Sequence, residues 1–198
     1  MQLLLIRHAL PQRVEQVAGG ADPALTELGR LQAQRIPEAL AEYDVSAIVS
    51  SPMLRARQTA QPLADALGLE VAVDPDLAEY DAGQRNYVPI HEARAAHPEA
   101  YARIMAGYIP DFADPVAFTA RVTAAMQRLV DDHAHGQTIA VVSHGGVINV
   151  YLQQLLDLAR PLTFPLEYVS LSRVLISRNG TRKVASVNET GHMRDIPR

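Results

Sequence analysis

Apolar residues along this chain fall into short continuous runs separated by stretches with helical spacing. Two of the runs, residues 3–6 and 139–142, end directly in Arg7-His8 and in Ser143-His144. A short apolar run that stops at polar residues is typical of a buried strand. In an open α/β sheet, ligands bind beyond the carboxyl ends of the strands. We therefore expect the two histidines to face one crevice.

A third apolar run, residues 45–50, leads into Ser51-Pro52. Serine is a favoured N-cap and proline suits the first helical position, so this pair predicts a helix that begins at Pro52. Arg55 would then lie in the first turn, near the positive end of the helix dipole. Two arginines and two histidines from separate strand ends are the chemistry of a phosphate pocket.

The remaining pattern predicts alternating strands and helices, which is typical of a largely parallel sheet. Thr26 is expected to cap a helix that Pro37 kinks or shortens, and residues 169–177 and 182–188 predict a terminal hairpin through Asn179-Gly180. We predict a three-layer α/β/α sandwich with a mostly parallel mixed sheet. Further helices are predicted at 52–67, 118–133 and 147–158, and a short strand at 71–73.

Residues 78–115 do not follow the alternation, and they contain several tyrosines and prolines. Within them, residues 91–107 could be helical with a break at Pro98. We expect this segment to be a lid over the strand ends, because loops placed there often carry selectivity. The chain is otherwise predicted to be one domain over residues 1–198.

Composition narrows the function classes. The chain of 198 residues carries a formal net charge of -4, so it offers no basic face for nucleic acid or an anionic membrane. The start lacks the basic region of a signal peptide, which favours a cytoplasmic protein. There is no cysteine, which excludes disulfides, a thiolate nucleophile and zinc–thiolate sites.

Four motifs follow one another along the chain, at residues 5–9, 25–33, 50–60 and 142–148. In this order they resemble the histidine phosphatase superfamily, also called phosphoglycerate-mutase-like. A C-terminal stretch, residues 187–192, resembles the family pattern as well. Any one motif is weak evidence, but four on the expected elements are strong.

The residues alone leave open whether His8 or His144 is the nucleophile, although Arg7 and Arg55 should lower the pKa of His8 and keep it neutral. The resemblance implies that His8 is phosphorylated, that His144 binds phosphate and stabilises the transition state, and that Arg7 and Arg55 clamp the phosphate. It also implies that Glu79, in a Leu-x-Glu-x-x-x-Gly stretch, is the general acid. A carboxylic acid is needed to protonate the leaving alkoxide, and Asp81 is the alternative.

The chain departs from the family pattern in two places. Related proteins often continue Gly-x-Trp-Glu-Gly where this chain has Gly83-Gln84-Arg85, a departure that concerns the assignment of Glu79. The Glu-Ser and Trp-Asn elements that family mutases have after Arg-His-Gly are absent, since Arg7-His8 is followed by Ala9-Leu10-Pro11. Hydrolysis of a phosphomonoester is therefore preferred. The alternatives are a mutase-type phosphoryl transfer and a catalytically silent module that binds phosphorylated ligands or proteins.

The expected ligand is a small phosphorylated metabolite, without metal or other cofactor. His133 and His135 lack a carboxylate or thiol partner at a known metal spacing. Four arginines are candidates for a second anionic group of the substrate, and the hairpin edge could pair in a homodimer. These arginines are Arg13, Arg85, Arg94 and Arg103.

Overall fold

A computed structural model describes residues 1–196, which form a six-stranded mixed sheet between two layers of helices. The strand order is β3-β2-β4-β1-β5-β6, in which the first four strands are mutually parallel, β5 pairs antiparallel with β1, and β6 pairs antiparallel with β5. The strands are β1 Gln2–Arg7, β2 Val45–Ser50, β3 Val71–Val73, β4 Thr138–Ser143, β5 Leu171–Ile176 and β6 Arg182–Glu189.

Strand β1 lies inside the sheet and is apolar on both faces. Leu3 and Leu5 pack into one hydrophobic core, whereas Leu4 and Ile6 pack into another. Successive side chains of a strand point to opposite faces, so the continuous apolar run reflects burial on both sides. The predicted three-layer α/β/α sandwich is confirmed.

The described part of the chain contains seven α-helices. Thr26 caps the first helix, since its hydroxyl accepts a hydrogen bond from the Gly29 N–H at 2.8 Å. Pro37 follows the break between the first two helices, as expected from its effect on helix geometry. The helices are α1 Glu27–Ala33, α2 Ile36–Ala39, α3 Leu54–Leu67, α4 Ile90–Ala96, α5 Pro98–Met105, α6 Pro115–Asp131 and α7 Gly145–Leu156.

Helix α3 begins at Leu54, so the prediction that Ser51 caps a helix from Pro52 was wrong. The Ser51 hydroxyl instead accepts from the Met53 N–H at 3.3 Å, within an extended approach to the helix. The first helical N–H, that of Leu54, donates to the Asp22 carboxylate at 2.7 Å. The cap therefore comes from a residue far away in sequence. Arg55 remains in the first turn.

Residues 78–115 contain α4 and α5, which are separated at His97 as expected before Pro98. The segment is joined to the loop after β1 through Val14 and Tyr87, whose backbones exchange hydrogen bonds of 2.8 and 3.1 Å. In the part of the chain that the structure describes, no helix combines the length and apolar character required to cross a membrane.

Candidate active site

The parallel strands bring their carboxyl ends to one edge of the sheet, where both histidines lie. In the register of the sheet Arg7 is opposite Ser143, so the residues that follow them are neighbours. The ring centroids of His8 and His144 are 5.0 Å apart in an edge-on arrangement. Strand β2 ends beside them, which places Ser51 at the same edge. The crevice expected from the two apolar runs is therefore formed.

His8 is held in one tautomer by its own neighbour. Its Nδ1 lies 2.8 Å from the carbonyl oxygen of Ala9, and because a carbonyl can only accept, Nδ1 carries the proton. The other ring nitrogen, Nε2, then carries the free lone pair. Burial, followed by the charges of Arg55 and Arg7, lowers the pKa of His8 well below its ordinary value. The imidazole is thus neutral and nucleophilic at neutral pH.

His144 is fully buried and is oriented by Ser51. Its Nε2 lies 2.6 Å from the Ser51 hydroxyl, whereas its Nδ1 has no hydrogen-bond partner among the described residues. Burial is the largest cause that lowers the pKa of His144, followed by the charge of Arg55. A neutral ring in this position can donate one hydrogen bond, and it can be protonated further when an anion binds.

The two arginines are the largest charges of the site. Arg55 is completely buried, and its NH2 donates to Asp81 at 2.9 Å. Arg7 donates through NH1 to a backbone carbonyl, that of Leu166. Both guanidinium groups lie against tyrosine rings, with Arg7 Cζ 4.0 Å from the Tyr168 centroid and Arg55 Cζ 4.6 Å from the Tyr87 centroid. Stacking of this kind fixes the plane of each guanidinium.

Several buried nitrogens of these side chains have no hydrogen-bond partner within residues 1–196. They are Arg7 Nε, Arg55 Nε and NH1, and His144 Nδ1. Buried donors without partners are rare in proteins, because each costs the desolvation of a polar group. A tetrahedral oxyanion accepts hydrogen bonds at several oxygens, so a phosphoryl group would satisfy donors of this number and charge.

Glu79 lies in the same crevice and is 7% exposed. Its two carboxyl oxygens accept backbone hydrogen bonds from Gly146 at 2.7 Å and from Tyr80 at 3.0 Å. Burial, and then the negative charge of Asp81, raises the pKa of Glu79 to about 7, against the lowering effect of the two N–H donors. A carboxyl group with this pKa can give and take a proton near neutrality.

Gly146 is required by this arrangement. A Cβ atom at this position would lie 2.2 Å from Glu79 Oε1 and 2.7 Å from the Tyr80 ring. Because the Gly146 N–H is itself a hydrogen-bond donor to Glu79, the backbone of the helix start and the carboxyl group must be in direct contact. The glycine of the Ser143-His144-Gly145-Gly146 motif therefore positions Glu79.

The structure brings together all five predicted site residues, namely Arg7, His8, Arg55, Glu79 and His144. The alternative acid, Asp81, is instead paired with Arg55. Tyr87 and Tyr168 were missed, since nothing in their local sequence indicates that they stack on arginines. Among the residues 1–196, no group of three or more His, Cys, Asp or Glu side chains is arranged to hold a metal ion.

Two of the arginines considered for a second anionic group are engaged elsewhere. Arg13 forms ion pairs with Glu15 and Glu92, and Arg103 pairs with Asp111 at 2.7 Å. Their charge is therefore partly neutralised before any ligand arrives. The other two, Arg85 and Arg94, are exposed at the surface.

A buried histidine pair, two clamped arginines and a carboxyl group at the strand ends of a mixed sheet define a phosphoryl-transfer type of site. The model of the histidine phosphatase superfamily (branch 1) matches residues 3–190, and the chain belongs to this superfamily. The resemblance seen in the four motifs is confirmed.

Relatives are found in plants and bacteria. The chain is 34% identical to phosphoglycerate mutase-like protein 4 of Arabidopsis thaliana, over 89% of this chain and 79% of that protein. It is 33% identical to a bifunctional protein of Mycobacterium tuberculosis, over 97% of this chain but only 55% of that protein, so it spans about half of that relative.

A mycobacterial glucosyl-3-phosphoglycerate phosphatase, solved in complex with VO3, has a similar structure. The TM-score is 0.78 at 26% sequence identity, and the alignment covers 96% of this chain and 99% of that chain. The likeness therefore extends over nearly the whole chain.

Proposed function

We propose that this protein is a metal-independent phosphomonoesterase, which hydrolyses small phosphorylated metabolites through a phosphohistidine at His8. The observation that carries the proposal is the state of His8. Its Nδ1 is bound to the Ala9 carbonyl at 2.8 Å, its pKa is lowered by burial and by Arg55 and Arg7, and it lies beside donors that suit a phosphoryl group. Solved relatives that are named phosphatases support hydrolysis as the reaction.

In the first step, Nε2 of His8 attacks the phosphorus atom, and a P–N bond forms as the P–O bond to the leaving group breaks. The electron pair of that bond moves to the leaving oxygen, which takes a proton from Glu79. Arg7, Arg55 and His144 stabilise the charge on the other phosphoryl oxygens. The alcohol is released.

In the second step, water attacks the phosphorus of the phosphohistidine. Glu79, now a carboxylate, accepts a proton from that water, and the P–N bond breaks so that its electron pair returns to Nε2. Inorganic phosphate leaves, while Glu79 is protonated again and His8 is again neutral. A pKa of about 7 at Glu79 suits both directions of proton transfer.

Hydrolysis is preferred to mutase activity because of the chain after His8. Residues 9–13 are Ala-Leu-Pro-Gln-Arg, and the whole protein contains no tryptophan. A mutase must hold its intermediate and keep water from the phosphohistidine. The Ala9 N–H is instead bound to the Thr59 hydroxyl at 2.9 Å, which fixes the backbone next to the nucleophile.

A silent phosphate-binding module is the alternative that the experiment must separate from an enzyme. Wild-type protein is assayed with EDTA against a panel of phosphomonoesters, alongside interconversion of 2- and 3-phosphoglycerate with the bisphosphate present. We expect hydrolysis of at least one ester to exceed the mutase rate. A mutase rate above every hydrolytic rate contradicts the proposal, and so does phosphate binding without any turnover.

Arg55→Ala tests the phosphate clamp in the same assay, with Arg57→Ala as the matched control. Arg55 is fully buried, whereas Arg57 lies two residues further along α3 and is exposed. We expect Arg55→Ala to abolish turnover and phosphate binding, and Arg57→Ala to keep both. Equal effects of the two substitutions would contradict the role of Arg55.

Residues 78–115 are proposed to act as the lid of this site. Glu79, Tyr80 and Tyr87 all belong to this segment, and Tyr87 is the ring that lies over Arg55. A cytoplasmic location and a homodimer stay predictions from the sequence.

A further inference from the structure

Tyr168 lies against both the nucleophile and one clamp arginine. Its ring centroid is 4.0 Å from Arg7 Cζ and 5.7 Å from the His8 ring, and its buried hydroxyl has no hydrogen-bond partner among the described residues. We propose that Tyr168 is a further substrate-contacting residue, whose hydroxyl donates a hydrogen bond to an oxygen of the phosphoryl group. This inference rests on the proposed function, since it concerns the same site.

The backbone around Tyr168 is bound to Arg7 along its whole length. We call residues 166–170 the Tyr168 strap. Arg7 donates from its side chain to the Leu166 carbonyl and from its backbone to the Ser170 carbonyl at 3.2 Å, and its own carbonyl accepts from the Val169 N–H at 3.0 Å. Three hydrogen bonds and a stacked ring thus fix Tyr168 relative to the arginine, so the hydroxyl is held in place before any ligand binds.

The strap contains strained backbone at the residue after the tyrosine. Val169 has a φ of 57°, a left-handed conformation that is a genuine outlier for a β-branched residue. Strain of this kind persists only where the surrounding structure determines it, and it is concentrated at functional sites. Here the unusual φ turns the chain between the tyrosine and β5.

The C-terminal stretch that resembles the family pattern holds the strap in this conformation. The Asn188 side chain accepts from the Glu167 N–H at 2.7 Å, and His192 Nε2 donates to the Val169 carbonyl at 2.9 Å. Burial lowers the pKa of His192, which keeps its ring neutral. The function of this stretch is therefore to position the strap, and Tyr168 with it.

The chemistry around the hydroxyl favours an anionic acceptor. Burial, followed by the neighbouring Tyr168, raises the pKa of Tyr87 well above its ordinary value. Each phenol ring lies against one guanidinium group of the site, Tyr168 against Arg7 and Tyr87 against Arg55. A phenol can donate one hydrogen bond, and ionised phosphoryl oxygens accept hydrogen bonds but donate none, so the Tyr168 hydroxyl would add one donor to those of the arginines and His144.

Tyr168→Phe removes the hydroxyl and keeps the stacked ring, whereas Tyr168→Leu removes both. Tyr151→Phe is the matched control, because the Tyr151 hydroxyl is also buried but lies on α7 in the hydrophobic core, beside Arg182. The probes are inorganic phosphate, titrated by calorimetry, and p-nitrophenyl phosphate, assayed for kcat and KM.

A hydrogen bond to a charged group corresponds to about tenfold or more in affinity, so Tyr168→Phe should weaken phosphate binding and lower kcat/KM on that order. Tyr151→Phe should change neither, and Tyr168→Leu should lose more than Tyr168→Phe. Wild-type phosphate affinity and wild-type kcat/KM in Tyr168→Phe would overturn the inference while leaving the proposed function intact.

The two claims fail separately in this experiment. If wild-type protein binds phosphate but hydrolyses nothing, the proposed function is wrong, and weaker phosphate binding by Tyr168→Phe still supports the hydroxyl as a ligand. If wild-type protein neither binds phosphate nor hydrolyses the ester, both claims are overturned.

Discussion

Replacing Glu79 with glutamine tests the environment of this carboxyl group without any substrate. The pKa of Glu79 is raised from 4.5 to about 7, with burial as the largest cause and Asp81 the next. In the unfolded chain the pKa returns to its ordinary value. At a pH between 4.5 and about 7, Glu79 is protonated in the folded protein but ionised in the unfolded chain, so proton binding favours the folded state.

The size of this stabilisation of the folded state follows from the two pKa values of Glu79. The difference between 4.5 and about 7, at about 1.36 kcal/mol per pKa unit, is worth about 3 kcal/mol. Because the folded pKa is the higher one, this stabilisation is fully present below pH 4.5 and is lost as the pH rises through about 7. Above that pH the folded protein contains a buried, ionised carboxylate.

The assay is urea unfolding of wild type and Glu79→Gln at several pH values from 4 to about 8, read as the difference in unfolding free energy. Glutamine cannot titrate, so between pH 4 and about 8 the unfolding free energy of the variant should fall by about 3 kcal/mol less than that of wild type. Glu99→Gln, on the surface of α5, is the control and should follow wild type. A pH-independent difference between Glu79→Gln and wild type would refute the raised pKa.

Three further results are expected. Glu79→Gln should slow P–O cleavage by about 10²–10⁴-fold for an alkyl phosphate and much less for p-nitrophenyl phosphate, because nitrophenolate leaves without a proton. Pre-steady-state bursts measure this step, and an equal loss of rate with both substrates would make Glu79 a structural residue. Gly146→Ala should displace Glu79, since the new Cβ would lie 2.2 Å from Oε1, and should reduce burst rates at least about tenfold on alkyl phosphates, whereas Gly191→Ala, which meets no atom within 4 Å, should not. Activity on a small phosphomonoester should survive dialysis against a chelator, because two arginines supply the positive charge; recovery of lost activity with added zinc or magnesium would count against this expectation.

The central part of the fold could be predicted because its signals are local. The apolar run at residues 3–6 is buried on both faces, and it stops where the chain reaches the edge of the sheet at Arg7. The same holds for residues 139–142 before Ser143. Parallel strands bring such ends together regardless of how far apart they are in sequence, so the histidine pair followed from two short patterns.

The details that failed depend on contacts between distant residues. The start of α3 is set by Asp22, which binds the Leu54 N–H, and no local pattern around Ser51 contains that information. Likewise Asp81 could serve as an acid from its sequence position alone, but in the fold it neutralises Arg55. A buried cation attracts the nearest carboxylate, and which carboxylate is nearest is a property of the tertiary structure.

The tyrosines of the site also could not be predicted from local sequence patterns. Tyr87 lies in the irregular lid segment, and Tyr168 lies just before β5 and directly before the strand predicted at residues 169–177. The position of Tyr168 depends on the left-handed Val169 and on hydrogen bonds that Asn188 accepts from Glu167 and that His192 donates to Val169. Nothing in a valine predicts a positive φ, so this part of the site had to be seen in three dimensions.

The most direct test of the account is to trap the covalent intermediate at His8. Wild type and His8→Ala are each mixed with a phosphomonoester that is labelled in its phosphoryl group. The reactions are quenched with base, and the protein is analysed for bound label. Phosphohistidine is stable to base and labile to acid, so wild type should carry label with that behaviour, while His8→Ala should carry none and show no turnover. An acid-labile, base-stable phosphoenzyme that persists in His8→Ala would contradict the assignment of the nucleophile.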